Sequence, residues 1–125
     1  MRRGELWTVA GGVHASKPRP ALIVQDDLFA GTASVTVAPL TTTLVDAPLL
    51  RVRVRVRVRV RVRVRVRVRV AADELTGLQH ESHVMIDNKV TTVRRENVGA
   101  PIGRLTPENL VEVERTLMAF LGLAR

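Results

Sequence analysis

Arg19-Pro20-Ala21-Leu22-Ile23-Val24-Gln25 reads as a buried β-strand, with its proline confined to the start, where a missing N–H does least harm to a ladder. Upstream, Glu5 to Val9 is a short β-type run ended by Ala10-Gly11-Gly12, and Gly11 to Pro18 is a polar, flexible loop. Downstream, Asp26-Asp27 marks a turn. Ser34 to Leu40 then alternates apolar and polar residues at near period two, which predicts a strand with one buried face and Thr41-Thr42-Thr43 as its polar end. Leu49 opens a further strand. Ala71 to His80 is a turn-rich connection, Val84-Met85-Ile86 a short apolar strand, Asp87-Asn88-Lys89 a polar turn, and Val90 to Val93 another strand. Thr106-Pro107-Glu108 opens a helix with Thr106 as N-cap, proline at the first helical position and an acid near the positive end of the dipole. Leu110, Val113, Leu117 and Leu121 give that helix one apolar stripe, and Gly122 terminates it. The pattern predicts a mainly β fold with a C-terminal helix, a small, partly open β-barrel on which that helix packs.

The charge of the chain needs dividing before it is interpreted. Its 20 Lys and Arg outnumber 12 Asp and Glu, for a net charge of +8 and a pI near 11.6. Arg51–Val70 consists of ten Arg-Val dipeptides and holds 10 of those cations and no acid; the other 105 residues carry 10 basic and 12 acidic groups, a net of −2. A high pI ordinarily points to nucleic acid or a membrane surface. Here it reports the repeat. Strict alternation puts every valine on one strand face and every arginine on the other. Twenty extended residues would span roughly 66 Å, against a radius of gyration of roughly 14 Å for a domain of this size, so one straight strand does not fit. Each two-residue slip restores the pattern, which leaves the register unspecified. The reading is that Leu49 to about Val54 is a strand of the fold and most of the remainder a tandem expansion that supplies no chemistry. The functional alternative is a basic arm gripping phosphates without regard to sequence.

The length fits one domain over 1–125, interrupted at 51–70. There is no cysteine, which excludes disulfides, thiolate zinc sites and a cysteine nucleophile. The histidines, His14, His80 and His83, are too dispersed for a metal cluster, so no metal and no cofactor is expected. The start lacks the apolar core of a signal peptide and no stretch approaches a membrane span, so a soluble cytoplasmic protein is the default. Aromatic residues, at 2%, are too few for a base-stacking platform.

The groups able to carry chemistry stand where loops meet strand ends. Arg19 begins a strand just after a glycine-containing loop, Lys17 is two residues away, His14 lies within the loop, and Thr41 to Thr43 end another strand. An arginine offers phosphate oxygens a charge-assisted fork, and nearby hydroxyls fix the geometry. Each residue alone also has a plain reading: a solvated charge, a β-surface threonine, an idle loop histidine.

Arg3-Gly4-Glu5-Leu6-Trp7, Arg19-Pro20-Ala21-Leu22-Ile23-Val24 and Val37-Ala38-Pro39-Leu40-Thr41-Thr42 together resemble three ordered signatures of the MazF/PemK family of toxins. Gly77-Leu78, Ser82-His83-Val84-Met85-Ile86-Asp87, Ile102-Gly103-Arg104-Leu105 and Leu121-Gly122-Leu123 keep the same order. The resemblance implies an SH3-like barrel, a homodimer, and a toxin of a type II toxin-antitoxin system whose complex with its antitoxin binds DNA. It implies metal-independent cleavage of single-stranded RNA at short sequences, the substrate's 2′-OH attacking phosphorus to leave a 2′,3′-cyclic phosphate and a 5′-OH. By the same resemblance Arg19, matching the family's RP arginine, stabilises the charge of the phosphorane, and Thr41, matching the PLT hydroxyl, holds the scissile phosphate; both are the catalytic candidates. His14, Lys17, Thr42 and Asp87 are the substrate-binding candidates. Many relatives carry an acidic or His-Glu pair before the arginine, where this chain reads Gly12-Val13-His14-Ala15-Ser16-Lys17, so the general base stays open. Some relatives use an arginine where this chain has Met85, two residues before Asp87, which leaves a structural or RNA-contacting part for Asp87. Two other classes compete: a barrel toxin that binds DNA gyrase without catalysis, dependent on the C-terminal helix, and a non-toxic SH3-like interaction module.

Overall fold

Seven antiparallel strands make one sheet that curls into a half-barrel, and a C-terminal helix packs against it. The structure, a computed structural model, describes residues 1–10, 17–42, 48–53, 61–65, 67–86 and 90–123, the side chains of 48–53, 61–65 and 67 excepted. The described strands are β1 (Glu5–Val9), β2 (Arg19–Ile23), β3 (Ser34–Thr41), β4 (Pro48–Arg53), β5 (Arg61–Arg65), β6 (Arg67–Val70), β7 (Ser82–Met85), β8 (Thr91–Arg94) and β9 (Val98–Arg104), followed by α1 (Pro107–Phe120). The strand order is β6-β7-β3-β2-β1-β9, with β8 also paired to β3; β4 and β5 form a separate hairpin. Of the expected loop from Gly11 to Pro18, residues 11–16 lie outside the described residues and Lys17 and Pro18 are exposed and irregular; the expected turn over 87–89 also lies outside them. Among the described residues no helix is long and apolar enough to cross a membrane.

Strand β3 departs from the one-sided strand that its alternation predicts. Val35 and Val37 enter one apolar cluster, whereas Ala38 and Leu40 enter the other. Ala38 breaks the polar alternation, and a central strand buried on both faces is the result. The larger cluster joins Leu6, Leu22, Ala38, Leu40, Val84 and Ile86 to Val113 of the helix. Full burial of each such aliphatic side chain stabilises the fold by roughly 1.5–3 kcal/mol. The smaller cluster, on the opposite sheet face, contains Ala21, Ile23, Val35, Val37 and Val98, with Trp7 and Val9 packed against it.

The end of the Arg-Val run is part of this core, so the remainder beyond about Val54, expected to be mostly a tandem expansion, contributes at least β6 to the sheet. Strand β6 pairs with β7 in the register Val68↔Val84 and Arg69↔His83, and Val68 and Val70 are 1% and 0% exposed. Alternation makes this possible: Val68 and Val70 fill the core while Arg69 stays exposed. The earlier part of the run folds back on the chain before it, Pro48–Arg53 against Arg61–Arg65.

Strand β9 is not evident from the sequence, because Gly99, Pro101 and Gly103 interrupt any pattern. It pairs with β1 through two register shifts, and as an edge strand it tolerates a proline. Gly103 is needed there: a Cβ would run into the carbonyls of Leu75 and Thr76. The turn before β7 is held by buried Thr76, whose hydroxyl donates to the Ala71 carbonyl at 2.9 Å and accepts from the Asp73 N–H at 3.2 Å.

The helix begins as expected, with the Thr106 hydroxyl accepting from the Asn109 N–H at 3.1 Å, and ends at Gly122 with φ of +74°. Its stripe meets the core at Val113 and Leu117 as expected, with Phe120 in place of Leu121 at the far end. Val113 and Thr116 are buried, Thr116 turning its hydroxyl to the Glu112 carbonyl, while Leu121 is 62% exposed because it lies past the last helical turn.

Candidate active site

Strands β2 and β3 pair as Ala21↔Pro39 and Leu22↔Ala38. Two residues further on from Ala21↔Pro39, the same count brings Arg19 level with Thr41. Arg19 in turn pairs with Val9, Thr41 with His83, and His83 with Arg69. Paired residues share a face, so Arg19, Thr41, His83 and Arg69 form one row across four strands. Val68, Val70 and Val84 mark the opposite, helix-covered face. Along β2 and β3 the row's own face is apolar at Ala21, Ile23, Val35 and Val37, and turns polar at Arg19 and Thr41.

The chain puts these groups in reach for local reasons. Arg19 is the first residue of β2 and is exposed, so its guanidinium is hydrated and available to an anion. Thr41 ends β3 and is half-buried, which limits the freedom of its hydroxyl. Lys17 is exposed two residues before β2, and Thr42 is exposed in the bend after β3. Of the six expected site residues, Arg19 and Thr41 stand at the adjoining ends of the paired strands β2 and β3, Lys17 and Thr42 flank them along the chain, and His14 and Asp87 lie outside the described residues.

Two members of the row are absent from the sequence-based site. His83 is 6% exposed yet stands opposite Thr41. Arg69 is exposed, its Nε 3.2 Å from Glu81 Oε1. The signal available for His83 was an ionisable side chain directly before the Val84–Ile86 apolar run; Arg69 belongs to one of ten identical dipeptides and has no signal of its own. Among the described residues no three His, Asp or Glu side chains gather as metal ligands.

A concavity of about 420 Å³ is lined by Arg2, Arg3, Glu5, Arg104 and Leu110 at the start of α1, and none of the described site candidates, Lys17, Arg19, Thr41 and Thr42, lines it. Glu5 anchors its rim. Burial pushes the Glu5 carboxyl up, but the Arg2 N–H, the Trp7 indole N–H and the nearby α-amino group outweigh that, and its pKa lies below the ordinary value.

Residues 2–121 match the family of PemK-like, MazF-like toxins of type II toxin-antitoxin systems. A Mycolicibacterium smegmatis protein named as a probable endoribonuclease MazF is 45% identical over 99% of each chain. Among solved structures, a mycobacterial endoribonuclease in complex with its cognate antitoxin superposes with a TM-score of 0.71, at 23% identity, over 100% of this chain and 98% of that one. A MazE-MazF structure from Deinococcus radiodurans gives 0.68 at 18% identity, over 99% and 98%. Both structural likenesses speak to the fold.

Proposed function

The chain belongs to the PemK-like, MazF-like toxins of type II toxin-antitoxin systems, and on that premise we propose how it acts: as an endoribonuclease that cuts single-stranded RNA at short sequences by transesterification, with no metal taking part. The whole of 1–125 serves as one catalytic domain. The substrate's 2′-oxygen attacks the adjacent phosphorus as a base takes its proton; the P–O5′ bond breaks, and the departing oxygen is protonated. A 2′,3′-cyclic phosphate and a 5′-OH result. Arg19 supplies positive charge to the phosphorane, whose oxygens carry more charge than those of the ground-state diester, so its attraction is larger in the transition state. Thr41 donates its hydroxyl to a phosphate oxygen. His14, Lys17, Thr42 and Asp87 contact the substrate around them. The toxin works in the cytoplasm as a homodimer and is held in check by a cognate antitoxin, as its structural neighbours in antitoxin complexes suggest.

The observation that supports this reading is the level placement of Arg19 and Thr41 at the polar end of β2 and β3. Purified protein is incubated with mixed-sequence RNA in EDTA. Discrete fragments with 5′-OH ends, absent with Arg19→Ala and absent from all-DNA substrate, are the expected result. Intact RNA with the wild type, or fragments ending in 5′-phosphate, would overturn it; inhibition of gyrase in place of cleavage would favour the binding toxin.

A further inference from the structure

We propose that Arg69, on the edge strand β6, binds a backbone phosphate of the RNA, extending the substrate track from Arg19 and Thr41 across β7. The inference rests on the endoribonuclease reading and adds a residue from the Arg-Val run to it. Three observations carry it. Register puts Arg69 in the same cross-strand row as Thr41, with His83 between them. The valines on either side are fully committed to the core, so the strand holds the arginine on the row's face. And the chain outside the run has a net charge of −2, so attraction for a polyanion must come from cations placed locally.

Four neighbouring strands put about 14 Å between β2 and β6 at the row. That separation suits two non-adjacent phosphates of one extended strand, with the scissile group at Arg19 and Thr41 and a phosphate further along the chain at Arg69. The Arg69–Glu81 pair does not stand in the way. Both side chains are largely exposed, at 66% and 44%, and a pair of that kind contributes little. A phosphate presents Arg69 with a stronger, forked acceptor. Glu81 then acts against RNA, both as a competing acceptor and as a like charge beside the track.

The test measures binding apart from cleavage, with a fluorescent mixed-sequence RNA in which every 2′-OH is methylated, titrated at several salt concentrations. Arg69→Gln is expected to raise Kd about three- to tenfold and to reduce the slope of log K against log salt by about 0.7, one phosphate contact on a single strand. Glu81→Gln is expected to lower Kd. Arg94→Gln, which removes another exposed strand arginine from an acid pair, is expected to change neither. A Kd and slope for Arg69→Gln equal to wild type overturn the inference, even where Arg19→Ala still abolishes cleavage and the endoribonuclease reading stands. If Arg69→Gln fails to fold, Arg69→Lys and Glu81→Gln decide: an unchanged Kd in Glu81→Gln overturns the inference. Wild-type protein that neither binds nor cuts RNA overturns both readings.

Discussion

Thr41 and His83 face each other across the β3–β7 ladder, a half-buried hydroxyl against an imidazole that is 6% exposed. The pairing ties the candidate active site to the interior of the sheet. Truncating His83 therefore disturbs both. His83→Ala is expected to lower stability by about 1–3 kcal/mol, from the lost polar and packing contacts, and to slow RNA cleavage. Urea denaturation and single-turnover cleavage on the folded fraction check the two effects separately.

Arg19 is the opposite case, exposed at a strand start. Arg19→Ala is expected to leave the urea midpoint within about 0.5 kcal/mol of wild type and to reduce cleavage about 10²- to 10³-fold, the cost of removing one transition-state donor. Arg19→Lys keeps the charge and loses the fork, so intermediate activity is expected. Initial rates at saturating RNA measure both.

If the end of the Arg-Val run is core, Val70→Ala must cost stability. Deleting two methyl groups at a site 0% exposed is expected to destabilise by roughly 2 kcal/mol. Arg69→Gln, one residue away and exposed, is expected to cost little. Equal urea midpoints for the two variants would put β6 outside the core.

Gly77 has φ of +68°, and a Cβ there would run into the Ile102 carbonyl of β9. Gly77→Ala is expected to destabilise by about 1–3 kcal/mol through backbone strain and displaced packing. A drop in melting temperature with unchanged secondary structure by circular dichroism is the expected observation.

Glu5 gives stability a pH dependence of defined sign. Its folded pKa is depressed, so the stabilisation is present above the ordinary carboxylate pKa and is lost as pH falls through the folded value. Glu5→Gln is expected to flatten the acid limb of the stability curve relative to wild type, measured by urea midpoints below pH 5.

Most strands were legible in the sequence because they are short apolar runs bounded by turn residues. Glu5–Val9 has the bounds read from the pattern, and β2 ends two residues early, at Ile23, although the Val24 N–H still donates to the Thr36 carbonyl of β3 at 3.2 Å. Strand β9 was not legible, since its glycines answer to neighbouring carbonyls that only the fold brings close. Arg19 and Thr41 were visible as chemistry at strand ends; that they are level was not, because register between β2 and β3 is a tertiary fact. Arg69 was hidden by repetition. Nothing local distinguishes it from the nine other arginines of the run, and only the burial of Val68 and Val70 assigns it a face.

Strand β3 changes partners midway. Ser34–Val37 is bonded to β8, and Leu40–Thr41 to β7, with Ala38 and Pro39 between. The strand is therefore a seam, with β8 on one side of the break and β7 on the other. Fraying of Thr91–Arg94 is expected to leave the Thr41–His83 pairing closed, with amides of β8 exchanging with solvent at rates uncoupled from those of β7. On that expectation, thermal motion at one margin of the half-barrel stays apart from the other, where Thr41 stands.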